Sequence, residues 1–99
     1  MSRPVLLESK ELTAWLATHP SWRCENDRLV ATFVITFNHG LEVLLMVRDN
    51  IDEFDHHPRV TLEYRALTIE LWTHDRGGIT DLDLRIAELI GRAVDVVSK

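Results

Sequence analysis

Apolar and polar positions recur along this chain with two periods, and the points where one period gives way to the other mark seven elements. Leu12, Trp15 and Leu16 share a helical face after Ser9, predicting a first helix with Ser9 as its N-cap and His19-Pro20 as its end. Trp22 to Glu25 and Arg28 to Phe37 read as two strands. They join at Asn26-Asp27, a pair that tolerates the positive φ of a tight hairpin turn. In the second strand Ala31, Phe33, Ile35 and Phe37 alternate with Thr32, Val34 and Thr36, so one face is apolar and the other only half so. Asn38 is placed to cap the next helix, with Glu42 in its first turn. Leu41, Leu44, Leu45, Val47, Ile51 and Phe54 form that helix's stripe over about 17 residues, ending at Asp55 or His56.

Period two then returns. Val60, Leu62 and Tyr64 alternate with Arg59, Thr61 and Glu63; after Arg65-Ala66, Leu67, Ile69 and Leu71 alternate with Thr68, Glu70 and Trp72. Gly77-Gly78 breaks the last strand. Thr80-Asp81-Leu82-Asp83 has the form of a capping box with Asp in place of Glu, and Leu82, Ile86, Leu89, Ile90, Ala93 and Val97 carry a helical stripe onward. The order α-β-β-α-β-β-α predicts an α+β fold, a four-stranded antiparallel sheet with helices packed on one face. Residues 1–99 read as a single domain, without internal repeat, linker or low-complexity segment.

Composition narrows the function classes. Lys+Arg 11 against Asp+Glu 16 gives a net charge of −5, leaving no basic surplus to neutralise phosphates, so no nucleic-acid partner is expected. The one cysteine, Cys24, excludes an internal disulfide and a cysteine-based zinc site, and fits a reducing compartment. Met1 to Glu8 lacks the apolar core of a signal peptide, and no run approaches the ~18 apolar residues of a membrane span. A cytoplasmic protein with no membrane partner is expected.

The candidate chemistry lies in two polar stretches, Asp55-His56-His57-Pro58 and Thr73-His74-Asp75-Arg76-Gly77-Gly78, which hold three of the five histidines. Pro58 drives His57 out of the helical region, so a helix ending there would hold two imidazoles at the mouth of a turn. The plainer reading is a His-His pair on the last carbonyls of a helix, Asp83 as a cap, Trp22 in the core and Asp52 as a solvated residue near a histidine. His19 and His39 match no motif and read as surface or capping residues. His56 or His57 with His74 and Asp83 is a ligand set zinc accepts, but adjacent side chains diverge and no Glu supplies a general base, so no metal is expected.

The spacing Asp52-x-x-x-His56-His57-Pro58, five residues to Tyr64, nine to His74 and eight to Asp83 resembles the signature of the pterin-4a-carbinolamine dehydratases. Trp22 before the first strand, Phe33-x-x-x-Phe37 and Thr73-His74-Asp75-x-Gly77-Gly78-Ile79-Thr80-x-x-Asp83 agree with it, and the likeness runs from about Trp15 to Ala93. It implies the same sandwich fold, association as a homodimer or homotetramer, and dehydration of 4a-hydroxytetrahydropterin, the product of aromatic amino acid hydroxylases, to quinonoid dihydropterin. Neither metal nor organic cofactor is implied. By motif position, His56, His57 and His74 are the implied catalytic histidines. Asp83 is the acidic partner near the third, Asp55, Thr73 and Asp75 flank them in the pterin-contacting segments, and Trp22 lines the pocket. Val60 and Trp72 depart from the pattern, which has an aromatic residue at the first position and a small one at the second. The second role of animal members, as partners of a homeodomain transcription factor, is not carried over. A scaffold or coactivator of the same fold is the alternative reading, though such divergence would be expected to erode the histidines.

The residues suit that chemistry. Losing water from C4a needs a proton for the departing hydroxide and removal of one from N5, and imidazoles with an ordinary pKa near ~6.5 can do both at neutral pH. The expectation is that His56 and His74 exchange these protons, that Asp83 orients His74 as a carboxylate does in a hydrolase triad, and that His57 binds the pterin edge.

Overall fold

The computed structural model describes residues 5–98. Helix α1 (Ser9–Thr18) leads into strands β1 (Trp22–Glu25) and β2 (Arg28–Phe33); helix α2 (Phe37–Phe54) leads into β3 (Arg59–Glu63) and β4 (Ala66–Leu71). A single 3-10 turn at His74–Arg76 precedes helix α3 (Asp81–Val97). The α-β-β-α-β-β-α order and the α+β class are those expected from the hydrophobic pattern.

All strand pairs are antiparallel and the spatial order is β1-β2-β4-β3, so α2 carries the chain from β2 over β4 to the far edge. Alternation along the strands divides the sheet. Leu29, Ala31, Phe33, Leu67, Ile69 and Leu71 are buried and pack in one core with Val43, Val47 and Ile51 of α2 and Ile86, Ile90 and Ala93 of α3. The opposite face carries Arg28, Thr32, Thr68 and Glu70, tied by a Thr32–Thr68 hydroxyl pair at 3.2 Å and by Arg28 on Glu70 at 3.3 Å. Helix α1 joins from the side: Leu12, Trp15 and Leu16 touch the core, and the Trp15 indole N–H donates to Glu88 of α3 at 3.2 Å.

Both hairpins are two-residue turns, of different kinds. Asn26 and Asp27 take φ of 51° and 60°, the doubly left-handed turn that matches strand twist. Tyr64 and Arg65 close β3 onto β4 through the Glu63–Ala66 pair without positive φ. The Tyr64 carbonyl also accepts the Phe37 N–H at 3.1 Å, pinning the start of α2 to this turn. Further along, α2 crosses so close to β3 that a Cβ on Gly40 would lie 2.5 Å from Leu62 Cδ1.

The boundaries that differ most from the expectations lie at the helix caps. Helix α1 includes Ser9; its N-cap is Glu8, whose N–H donates to the Glu11 carboxylate at 3.4 Å. Helix α2 is capped by Thr36 rather than Asn38, because the Thr36 hydroxyl accepts the His39 N–H at 3.1 Å. Strand β2 therefore stops at Phe33, and Phe37 opens the helix. The alternation of Ile35 and Phe37 with their neighbours was only local; the hydroxyl cap competes for the same backbone and starts the helix.

No helix among the described residues is long and apolar enough to cross a membrane. Ile69 is fully buried on the inner strand β4. Ile69→Ala is expected to lower stability in urea unfolding by about 2–5 kcal/mol, whereas Thr61→Ala on exposed β3 should stay within about 0.5 kcal/mol. Similar losses for the two would contradict this division of the sheet.

Candidate active site

Helix α2 ends in a backbone motif that places His56. The Asp55 N–H reaches the Asp52 carbonyl at 3.1 Å and the His56 N–H reaches Ile51 at 3.2 Å, while Asp55 sits in the left-handed region at φ 49°, ψ 47°. These paired bonds, with a left-handed residue between helix and exit, are the Schellman arrangement, in which glycine is usual. Aspartate is one of the few other residues that takes this conformation readily. His56 follows at once, its orientation set by bonds that terminate the helix.

The second stretch is closed by its own backbone. Thr73 and Gly78 pair as an isolated bridge, with the Thr73 N–H on the Gly78 carbonyl at 2.8 Å, and Gly77 ends the 3-10 turn at φ 68°. Thr73 is buried while His74 and Asp75 are exposed, so the loop is anchored by one residue and presents the next two.

Asp83 joins the two stretches. It is the N3 residue of α3 in a capping box with Thr80 and is fully buried. Its Oδ2 accepts the Thr80 backbone N–H at 2.9 Å and the Thr73 hydroxyl at 3.0 Å; Oδ1 lies 2.5 Å from His56 Nε2. The proton order follows from what each group can give. The Thr73 hydrogen is spent on Asp83, so at 2.8 Å Thr80 Oγ1 donates to Thr73 Oγ1, while the Asp83 N–H donates to Thr80 in the capping box. With the carboxylate accepting throughout, His56 donates from Nε2, which makes Nδ1 the acceptor of the neutral ring. The His56 side chain keeps 12% exposure above a carboxylate with none, so the acid group meets solvent only through the imidazole.

Asp83 was expected beside His74 and is instead on His56. His74 has a different neighbour: the Trp72 indole N–H donates to its Nδ1 at 3.3 Å. His57 is exposed, with Nε2 at 3.5 Å from Asp52 one turn back. Asp55 is exposed at the helix exit. Trp22 lies in the core against Phe33, their ring centroids 5.9 Å apart, and lines a cavity of about 390 Å³ with His19, Glu88 and Arg92. Two residues outside the expected set take part, Thr80 and Trp72. The capping-box pattern marked Thr80 as structural, and Trp72 stood out only as a departure from the family pattern. Among the described residues no group of three His, Cys, Asp or Glu side chains is disposed to hold a metal ion.

A carboxylate behind an imidazole, with the far nitrogen unprotonated, is equipped to take a proton and return it. Comparison with known proteins narrows the reaction class. Residues 5–93 match the family model described as Pterin 4 alpha carbinolamine dehydratase. A protein of Metallosphaera sedula is 39% identical over 83% of this chain and 86% of its own length, and one of Mycobacteroides abscessus is 38% identical over 86% and 92%. Both carry the provisional name pterin-4-alpha-carbinolamine dehydratase. The crystal structure of a transcriptional coactivator/pterin dehydratase from Brucella melitensis superposes with a TM-score of 0.85 over 91% of this chain and 99% of its own. At 20% identity that likeness shows the fold.

Asp83→Asn keeps the shape but puts an amide N–H2 among groups that donate. It is expected to lower stability by about 1–3 kcal/mol, against about 0.5 kcal/mol or less for Asp95→Asn on the exposed side of the same helix. At the exit of α2, Asp55→Gly should be more stable than Asp55→Ala by about 1 kcal/mol. Equal unfolding midpoints would contradict the left-handed geometry.

Proposed function

The chain belongs to the pterin 4 alpha carbinolamine dehydratase family, and on that premise we propose that it converts 4a-hydroxytetrahydropterin to quinonoid dihydropterin and water, with His56 as the acid–base group. The observation that carries this reading is the contact of His56 Nε2 with the buried Asp83 carboxylate, which leaves Nδ1 as the acceptor. In the reaction the C4a–O bond breaks with its electron pair leaving on oxygen, and the N5 lone pair forms the C4a–N5 double bond. His56 Nδ1 takes the N5 proton, the imidazolium is steadied by Asp83, and the same proton passes to the departing hydroxide. Water leaves and His56 is restored, so atoms and charge balance over one residue. The hydroxyl and N5 are on adjacent atoms, which lets one imidazole serve both.

His74 and His57 then bind and orient the pterin, with Asp75 and Asp55 beside them in the two segments. General acid–base catalysis of this kind contributes about 10²–10⁴-fold, and the dehydration also proceeds slowly unaided. The substrate would be supplied by an aromatic amino acid hydroxylase and the product returned to tetrahydropterin by reduction, in the cytoplasm. Association of copies is supported by Phe37, Leu41 and Leu45, three exposed apolar residues at four-residue spacing along α2.

The test follows the decay of enzymatically generated 4a-hydroxytetrahydropterin by ultraviolet absorbance. Wild-type protein should accelerate it, and folded His56→Ala should lose at least about tenfold in kcat. His57→Ala should raise KM with kcat within about twofold, the signature of lost uniform binding. Folded wild-type protein that gives no acceleration would sink the enzymatic reading.

A further inference from the structure

We propose that Trp72 is a positioning residue that fixes the tautomer of His74 and through it the part His74 plays in the dehydration. The argument starts from what an indole can do: its N–H donates and never accepts. Trp72 Nε1 lies 3.3 Å from His74 Nδ1, with ring centroids 4.6 Å apart and planes inclined by 54°. Nδ1 must therefore offer a lone pair, and the imidazole's proton is on Nε2.

The indole is itself held. The Arg28 guanidinium carbon sits 4.0 Å from the centroid of the Trp72 ring. Arg28 is anchored by Glu70 at 3.3 Å, and the other oxygen of Glu70 meets Arg59 at 3.6 Å. A cation on the ring face is attracted by the π electrons and draws density from them, which strengthens the N–H as a donor. The chain Arg59–Glu70–Arg28–Trp72–His74 runs across the face of the sheet opposite the core and ends at the second histidine segment. Its first member directly follows the Pro58 that closes the first.

The two histidines thus present opposite faces to chemistry. His56 has spent its proton on Asp83 and offers a lone pair at Nδ1; His74 has spent its lone pair on Trp72 and offers a proton at Nε2. On the dehydratase reading, on which the kinetic consequence rests, His56 moves the N5 proton while His74 keeps its own and hydrogen-bonds the departing hydroxyl. His74 is then a donor in the transition state rather than a second base.

Nitrogen-15 NMR of the labelled protein and kinetics test this together. In wild type, the His74 shifts should show Nδ1 unprotonated and Nε2 protonated; the reverse assignment overturns the proposal. Trp72→Phe keeps an aromatic ring beneath Arg28 and removes the N–H together with the five-membered ring that carries it. It should lower kcat by about three- to tenfold, the range of one hydrogen bond, with KM within about twofold. In a His74→Ala background the same substitution should have little further effect, because Trp72 acts through His74. Equal losses in both backgrounds would mean that Trp72 merely packs, and would overturn the proposal. Arg28→Met, which keeps the indole N–H but removes the clamp, should give a smaller loss in the same direction and guards against a folding defect in Trp72→Phe. A wild-type protein without dehydratase activity overturns the dehydratase reading and the kinetic half of this one, while the nitrogen shifts still decide the tautomer.

Discussion

A carboxylate with no solvent access must find every hydrogen bond inside the protein, since an unpaired charge there is far costlier than a partnered one. Asp83 meets that demand with donors from three places: the Thr80 backbone at the head of α3, the Thr73 hydroxyl in the loop after β4 and the His56 ring beyond the end of α2. The first two lie within ten residues of Asp83 and His56 lies 27 before it, and one residue holds all three together. The same bonds that start a helix therefore also assemble a candidate site. No buried side-chain nitrogen or oxygen among the described residues lacks a partner, so the network is closed.

The helix ends do the remaining placing. Helix α2 terminates with Asp55 in the left-handed region, and His56 follows as the residue that completes the terminating bonds. Helix α3 begins where Asp83 is both cap partner and imidazole partner. Rigid elements thus present the two groups to each other across an interface that the apolar stripes of α2 and α3 already make tight. Precision at the His56–Asp83 contact is inherited from packing of the helices.

The sheet serves a second purpose through the face that the helices leave open. Its charged and aromatic residues form a file, Arg59, Glu70, Arg28 and Trp72, that reaches His74. Two histidines are consequently supported from opposite sides: one by a carboxylate from the buried side, the other by an indole from the polar side. Opposite supports leave opposite nitrogens available, and that difference gives the two rings different chemistry although their residue type is the same.

Much of the architecture was legible in the amino-acid sequence. The period-two stretches around Val60 and Ile69, the period-3.6 stripes of the last two helices and the Asn26-Asp27 turn are local signals, set by which face must be buried and which backbone angles a residue tolerates. The histidine spacing likewise marked the two stretches that the fold brings to Asp83. Caps were less legible, because Thr36 and Asn38, or Glu8 and Ser9, differ only in which side chain reaches a free N–H first. What no local pattern carried was partnership. Asp83 serves His56, 27 positions away, rather than the nearer His74, and the Trp72 indole beside His74 is clamped by Arg28 from the neighbouring strand β2. Periodicity records which face a residue occupies, whereas the identity of the group opposite depends on the strand order β1-β2-β4-β3 and on how α3 crosses α2. Those relations exist only once distant segments have packed.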